Sequence, residues 1–339
     1  MRTIKVNYRP SVKLKRMIFI SIIVALVFSI AFYIYSRTFA KSERLGIRMT
    51  SIAFNSIMER VVGTMIGMTV SAFIIAFVSL AFQTTTGSRI LTPSMIGFDS
   101  IFIGTQTIIV FFFGTATEIF SNIYLNFVIT AGAMLAVSML MYGAILRNSK
   151  NNIVFLLLFG LILSGIIRSG STYLQTIMDP SSFAQLQAAT TVTINGMDTR
   201  LAKFLAPFMI ALCLIFLSRH KTYDVLALGE DNAKNLGVNY LKESNFNLVM
   251  ISLGMSISTA LIGSLTFLGL LAVNITREIF KTNKHFLLFL ASGLIATLAL
   301  VFGQACAEMS QGSIPVTVII DAIGCSYMFY LILKENKKL

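Results

Sequence analysis

The chain has 339 residues, of which 56% are hydrophobic and 12% charged, with 27 Lys and Arg against 14 Asp and Glu for a net charge of +13. Soluble domains carry about 25% charged residues, so a soluble enzyme and a disordered chain are both excluded, and runs solidly apolar for about twenty residues exclude a β-barrel, whose strands alternate over about ten. The basic excess lies at the ends of the apolar runs, where it sets orientation in a bilayer and does not point to nucleic acid.

Residues 1–16 form a basic tail with Arg2, Lys5, Arg9, Lys13, Lys15 and Arg16. The apolar run at 17–35 is longer than a signal-peptide core and ends in Tyr33 and Tyr35, so it reads as a retained first span. A spanning helix takes about 20 residues. On that rule nine more spans fall at 61–82, 97–113, 119–146, 153–168, 201–218, 245–262, 264–276, 286–306 and 315–333. The eighth is too short to cross alone, and the fourth is long enough to tilt. Residues 334–339 close the chain as a short basic tail. The expected fold is therefore all-α: one polytopic membrane domain over 17–333 with about ten transmembrane helices. With the N-terminus inside, nineteen of the 27 Lys and Arg fall on the inside and eight outside, so both termini are expected in the cytoplasm. One outside loop, 36–60, dissents with Arg37, Lys41, Arg44, Arg48 and Arg60.

Gly63 and Gly67 form a G-x-x-x-G pair in the second span, a device for close helix packing within the subunit or at a seam between subunits. Ionisable residues inside spans are functional candidates. They are Asp99 near the start of the third span, Arg168 at the end of the fifth and Asp321 within the last. Asp321 either lines a path or pairs with a neighbouring helix. Cys213, Cys306 and Cys325 read as small buried hydrophobes, His220 and His285 lie in loops beside lysines, and no cluster has metal-ligand spacing.

Two loops are long enough for structure of their own. Residues 169–200, rich in Ser, Thr and Gln and containing Asp179-Pro180, predict a short helix at the outer mouth. Residues 219–244 contain Leu228-Gly229-Glu230-Asp231-Asn232-Ala233-Lys234-Asn235-Leu236-Gly237-Val238. Acidic residues in the first turn and Lys234 near the end suit the helix dipole, and Gly237 is placed to stop the helix, which predicts a helix over 230–236. Ala233 and Leu236 lie three apart, on one face. That face either packs on its own bundle or docks a soluble partner. No G-x-x-x-x-G-K-[ST] phosphate loop occurs, so this chain does not hold ATP itself.

Four ordered segments resemble the permease subunits of bacterial ABC importers for iron–siderophores and cobalamin, over about residues 55–333. Leu228 to Val238 is similar to that family's cytosolic coupling helix. Gln83, Pro93 and Gly97 match its stretch between the second and third spans. Gly263-Ser264-Leu265-Thr266-Phe267-Leu268-Gly269-Leu270, followed by Arg277, matches another, and Ile323-Gly324 with Phe329-Tyr330-Leu331 matches the last span. The variants Arg89-Ile90-Leu91-Thr92-Pro93 and Asn274 resemble the branch handling catecholate siderophores.

The resemblance implies a transport subunit of the cytoplasmic membrane, not an enzyme, that passes a ferric siderophore. A same-fold permease for haem or cobalamin and a gradient-driven transporter are the alternatives. It implies an ATPase dimer below, a second permease subunit, identical or related, and an extracytoplasmic siderophore-binding protein. No cofactor or metal ligand set is implied, because the siderophore itself supplies the iron ligands. The coupling residues would be Leu228, Gly229, Glu230, Ala233, Leu236 and Gly237. A weakly binding path would be lined by Ser164, Ser169, Ser171, Thr172, Thr266, Asn274 and Asp321. The binding protein would dock on Arg44, Arg48 and Arg60, although Arg60 falls four residues before the family's position.

Overall fold

The computed structural model describes residues 12–40, 51–148, 153–191, 194, 197–310 and 314–336, and among these residues there are helices and no strands. The first helices are α1 (Val12–Tyr35), α2 (Ser51–Thr86), α3 (Phe98–Ile108), α4 (Glu118–Ser121), α5 (Ile123–Asn148) and α6 (Ile153–Ile177), with α4 a single turn leading into α5. They are followed by α7 (Pro180–Thr190), α8 (Thr199–Ser218), α9 (His220–Leu226), α10 (Glu230–Asn235), α11 (Tyr240–Ile262), α12 (Leu268–Phe280), α13 (His285–Met309) and α14 (Val316–Asn336). A π-helical turn, Ile109–Phe113, extends α3.

Six described helices are long and apolar enough to cross a membrane, and Phe98–Phe113 and Val316–Tyr330 are shorter apolar helices. Each of the ten expected apolar runs is helical, but several ends differ. The eighth run begins at Leu268 rather than 264, because the chain breaks after Gly263, where φ is +85°. The fifth continues helical through its polar end to Ile177. The expected helix of the 169–200 loop is α7, started by Asp179, whose carboxylate accepts the Ser181 N–H at 3.1 Å with Pro180 at the first helical position.

The hub is α2, which packs against α8, α11, α12 and α13. Small residues let its neighbours approach. A Cβ on Gly63 would lie 2.6 Å from the Thr199 Cβ, and one on Gly67 would lie 3.1 Å from the Ala202 Cβ. The G-x-x-x-G pair is therefore spent inside the subunit, on the start of α8. Toward the Thr86 end of the hub sits an aromatic cluster: Phe77 and Phe289 are 4.9 Å apart, and Phe216 lies 6.1 Å from Phe289. On the flank, Gln106 of α3 donates to Asn126 at 2.8 Å and to Thr130 at 2.9 Å, which ties α3 to α5. Met17, Val24, Val27 and Phe28 of α1 are exposed apolar side chains, as a lipid-facing surface requires.

The connections sort to two ends. Arg37 pairs with Glu308 at 3.1 Å, and Gly63 meets Thr199, at one end. At the other, the segments around 83–93, 219–244 and 277–285 converge, joined by Tyr240 donating to the Thr85 carbonyl at 3.2 Å and Thr84 meeting His285 at 3.0 Å.

Candidate translocation pathway and docking knob

The 219–244 loop folds into α9 and α10, joined by Ala227, Leu228 and Gly229. Gly229 and Gly237 both hold positive φ, +91° and +80°. At the end of α10 the Val238 N–H reaches the Ala233 carbonyl and the Gly237 N–H reaches the Lys234 carbonyl, both at 3.0 Å. That pair of bonds is the Schellman termination, which needs a left-handed residue at the Gly237 position. Glu230 accepts from Lys234 at 2.7 Å across one turn, and this bond holds the Lys234 ammonium above the ordinary lysine range.

The expected shared face of Ala233 and Leu236 is divided. Ala233 is 0% exposed and packs inward, while Leu236 is 61% exposed and Leu228 54%. Leu236 still bonds the Asn232 carbonyl four residues back, so it keeps its helical place; residues three apart are rotated by about 60° around a helix, which leaves Ala233 against the bundle and Leu236 on the outer flank. The result is a knob of two exposed leucines, one on each side of α10. Gly229 and Gly237 shape its turns, and Glu230 braces it.

A polar clasp fixes the knob to the bundle. Arg219 pairs with Glu243 and lies 4.2 Å over the Phe246 ring. Tyr223 donates to Asn247 at 2.8 Å. Asp224 accepts both the backbone N–H and a ring nitrogen of His285 at 2.7 Å, and the other ring nitrogen meets Thr84. Thus α9 is tied to α2, α11 and α13 at once. His285, read from sequence as a loop residue, is 2% exposed at the first position of α13.

The ionisable residues of the spans converge at the break between α11 and α12. Thr266 donates to the Asp99 carboxylate at 2.7 Å, and Ser264 lies beside it. Arg168 and Asp321 are electrostatic neighbours of Asp99, and Asp321 lies at the Phe267 backbone N–H. The Oδ1 atoms of Asp99 and Asp321 are out of water with no hydrogen-bond partner. A broken helix with polar backbone and carboxylates at membrane depth is tolerated only against protein or a water-filled path.

The remaining path candidates are dispersed. Ser169 and Thr172 lie on the exposed side of α6, in a stripe with Gly165 and Thr176 at helical spacing. Ser164 donates to its own Gly160 carbonyl at 2.6 Å, and Ser171 is buried, donating to the Ile167 carbonyl at 2.7 Å. Asn274 is 4% exposed, and its amide donates to the carbonyls of Arg89 at 2.9 Å and Leu270 at 3.0 Å. Gln83 donates to the same Arg89 carbonyl at 3.0 Å, so two of the sequence motifs meet on one backbone atom. At the opposite end of α2 Arg60 is exposed, while Arg44 and Arg48 lie outside the described residues. Among the described residues no group of three or more His, Cys, Asp or Glu comes together to hold a metal ion.

Comparison with known proteins places this geometry. Residues 17–334 match the model of the FecCD transport family. The petrobactin import system permease protein YclO of Bacillus subtilis is 40% identical over 265 residues, 78% of this chain and 84% of that protein. FatC of Bacillus anthracis, another petrobactin import system permease protein, is 31% identical over 289 residues, 84% of this chain and 81% of its own. A solved chain of a metal-chelate type ABC transporter in an inward-facing conformation superposes with a TM-score of 0.76 at 19% identity, covering 94% of this chain and 99% of that one.

Proposed function

The chain belongs to the FecCD transport family, and we propose that it forms the ferric-siderophore path of an ATP-driven importer, with ten spans and both termini cytoplasmic. It is a multi-pass permease subunit of the cytoplasmic membrane and not an enzyme; ATP hydrolysis belongs to a separate subunit. The cargo is a siderophore of the petrobactin kind, by likeness to YclO and FatC. The tails at 1–16 and 334–339 are cytoplasmic.

The observation that carries the coupling role is the exposed pair Leu228 and Leu236 on a loop clasped to three helices. Apolar side chains on a cytoplasmic loop gain about 1.5–3 kcal/mol each when a partner buries them. The ATPase dimer takes the knob, so a movement of the ATPase pair is passed through α9 to α2, α11 and α13 as rigid bodies. The path runs past the break at 263–267, where Thr266 and Asp321 stand with Asp99, and along the polar stripe of α6 carrying Ser169 and Thr172. That stripe faces the path or the second permease subunit, because small polar residues bring helices together or meet water. An extracytoplasmic binding protein docks at the other end through Arg60, with Arg44 and Arg48.

The test is Leu236→Asp combined with Leu228→Asp. Both side chains are exposed, so the permease is expected to fold and insert normally. Co-purification of the ATPase is expected to fall by about tenfold or more. Undiminished co-purification together with undiminished uptake would overturn the docking assignment.

A further inference from the structure

Arg277 on α12 is half-buried, and its Nε is out of water with no hydrogen-bond partner. The charge acting on it is that of another cation, Arg89. Neither guanidinium has an ion-pair partner among the described residues. Most carboxylates of the surrounding loops are engaged elsewhere: Asp224 with His285 at 2.7 Å, Glu243 with Arg219, Glu230 with Lys234 at 2.7 Å, and Glu278 accepting from Tyr327 at 2.9 Å, while the exposed Asp231 acts on Lys234. His285 also faces Arg277, and its ring is tied to Asp224 and Thr84.

The fold holds this arrangement deliberately. Gln83 and Asn274 both donate to the Arg89 carbonyl, which fixes the Arg89 backbone one helical turn from Arg277 along α12, at Asn274. Two cations brought together without an acid are unfavourable unless an anion joins them. A pair of guanidinium forks matches the paired oxygens of a carboxylate or phosphate group.

We propose that Arg89 and Arg277 form an oxyanion-binding site, for a carboxylate or phosphate group, at the end of the bundle where the 83–93, 219–244 and 277–285 segments meet. Two sources supply that chemistry: the phosphate of a lipid headgroup, or an acidic group of a chelate leaving the path. The second source rests on the transport reading; the anion site itself does not.

The experiment uses the full chain alone in nanodiscs, so that it is independent of ATPase docking. Thermal unfolding is followed in discs of digalactosyldiacylglycerol, a lipid without phosphate, while citrate or inorganic phosphate is titrated against chloride at constant ionic strength. The wild-type chain is expected to unfold at higher temperature as the anion is added. Arg277→Gln and Arg89→Gln are each expected to weaken the apparent affinity about tenfold or more. Arg89→Gln guards against misfolding, because the protein grips residue 89 through its carbonyl and leaves the side chain exposed. In phosphatidylglycerol discs a wild-type chain already stabilised and blind to citrate assigns the site to the headgroup; a preserved citrate response assigns it to a soluble anion. Wild type and both variants responding identically, or no wild-type response in either lipid, would overturn the proposal.

Discussion

His285 makes three bonds in a buried position: two to Asp224 and one to Thr84. Removing its ring takes one bond from Asp224, which keeps the backbone N–H, and one from Thr84, which keeps the Leu80 carbonyl, at a cost of about 1–3 kcal/mol. His285→Ala is therefore expected to lower the unfolding temperature and to speed amide hydrogen exchange at 220–238 more than elsewhere. Uniform exchange across the chain would place His285 outside the clasp. This role was not readable in the sequence, since the pair is 61 residues apart and no local pattern links them. Asp99, Arg168 and Asp321 were individually readable as ionisable residues in apolar runs. Their convergence was not, because it arises from the break at 263–267 meeting α3, α6 and α14. Asn274 matched a motif expected to line the path, yet its amide is committed to two backbone carbonyls. A polar residue in an apolar run signals that something polar lies opposite, without saying whether that is cargo or chain.

At the scale of the elements, the apolar runs identified the helices because twenty apolar residues have few other ways to satisfy their backbone in lipid. Their ends were harder to read. α2 begins at Ser51 and continues to Thr86, where Thr84, Thr85 and Thr86 each bond back to a carbonyl four residues earlier. Polar residues thereby stay helical past the apolar run. For the 228–238 segment, charges and glycines located α10 to within a residue, whereas the outward face depended on how α10 packs against the bundle, which a three-residue spacing does not specify. The hub makes a direct prediction. Gly63→Ile places a branched side chain where even a Cβ would lie 2.6 Å from Thr199, so the seam between α2 and α8 must open. The expected loss is about 1–3 kcal/mol, measured as a lower unfolding temperature. An unchanged unfolding temperature would show that the two helices do not meet there in the folded protein.

Across the whole molecule, three of the basic segments counted inside from sequence alone, around 83–93, 219–244 and 277–285, come together at one end, and the Arg37–Glu308 end lies opposite. Between the two ends stand the hub, the carboxylates at the broken helix and the polar stripe of α6. On the proposed coupling role, a separate ATPase grips the clasped knob of Leu228 and Leu236 and supplies the force from outside the chain. The most direct measurement is uptake of a ferric siderophore into proteoliposomes built from the permease, its ATPase and its binding protein, with ATP on the ATPase side. Uptake is expected to depend on ATP and to fall by about tenfold or more when Leu228 and Leu236 are replaced by Asp. Uptake by the permease alone, or uptake sustained by an ion gradient without ATP, would contradict it.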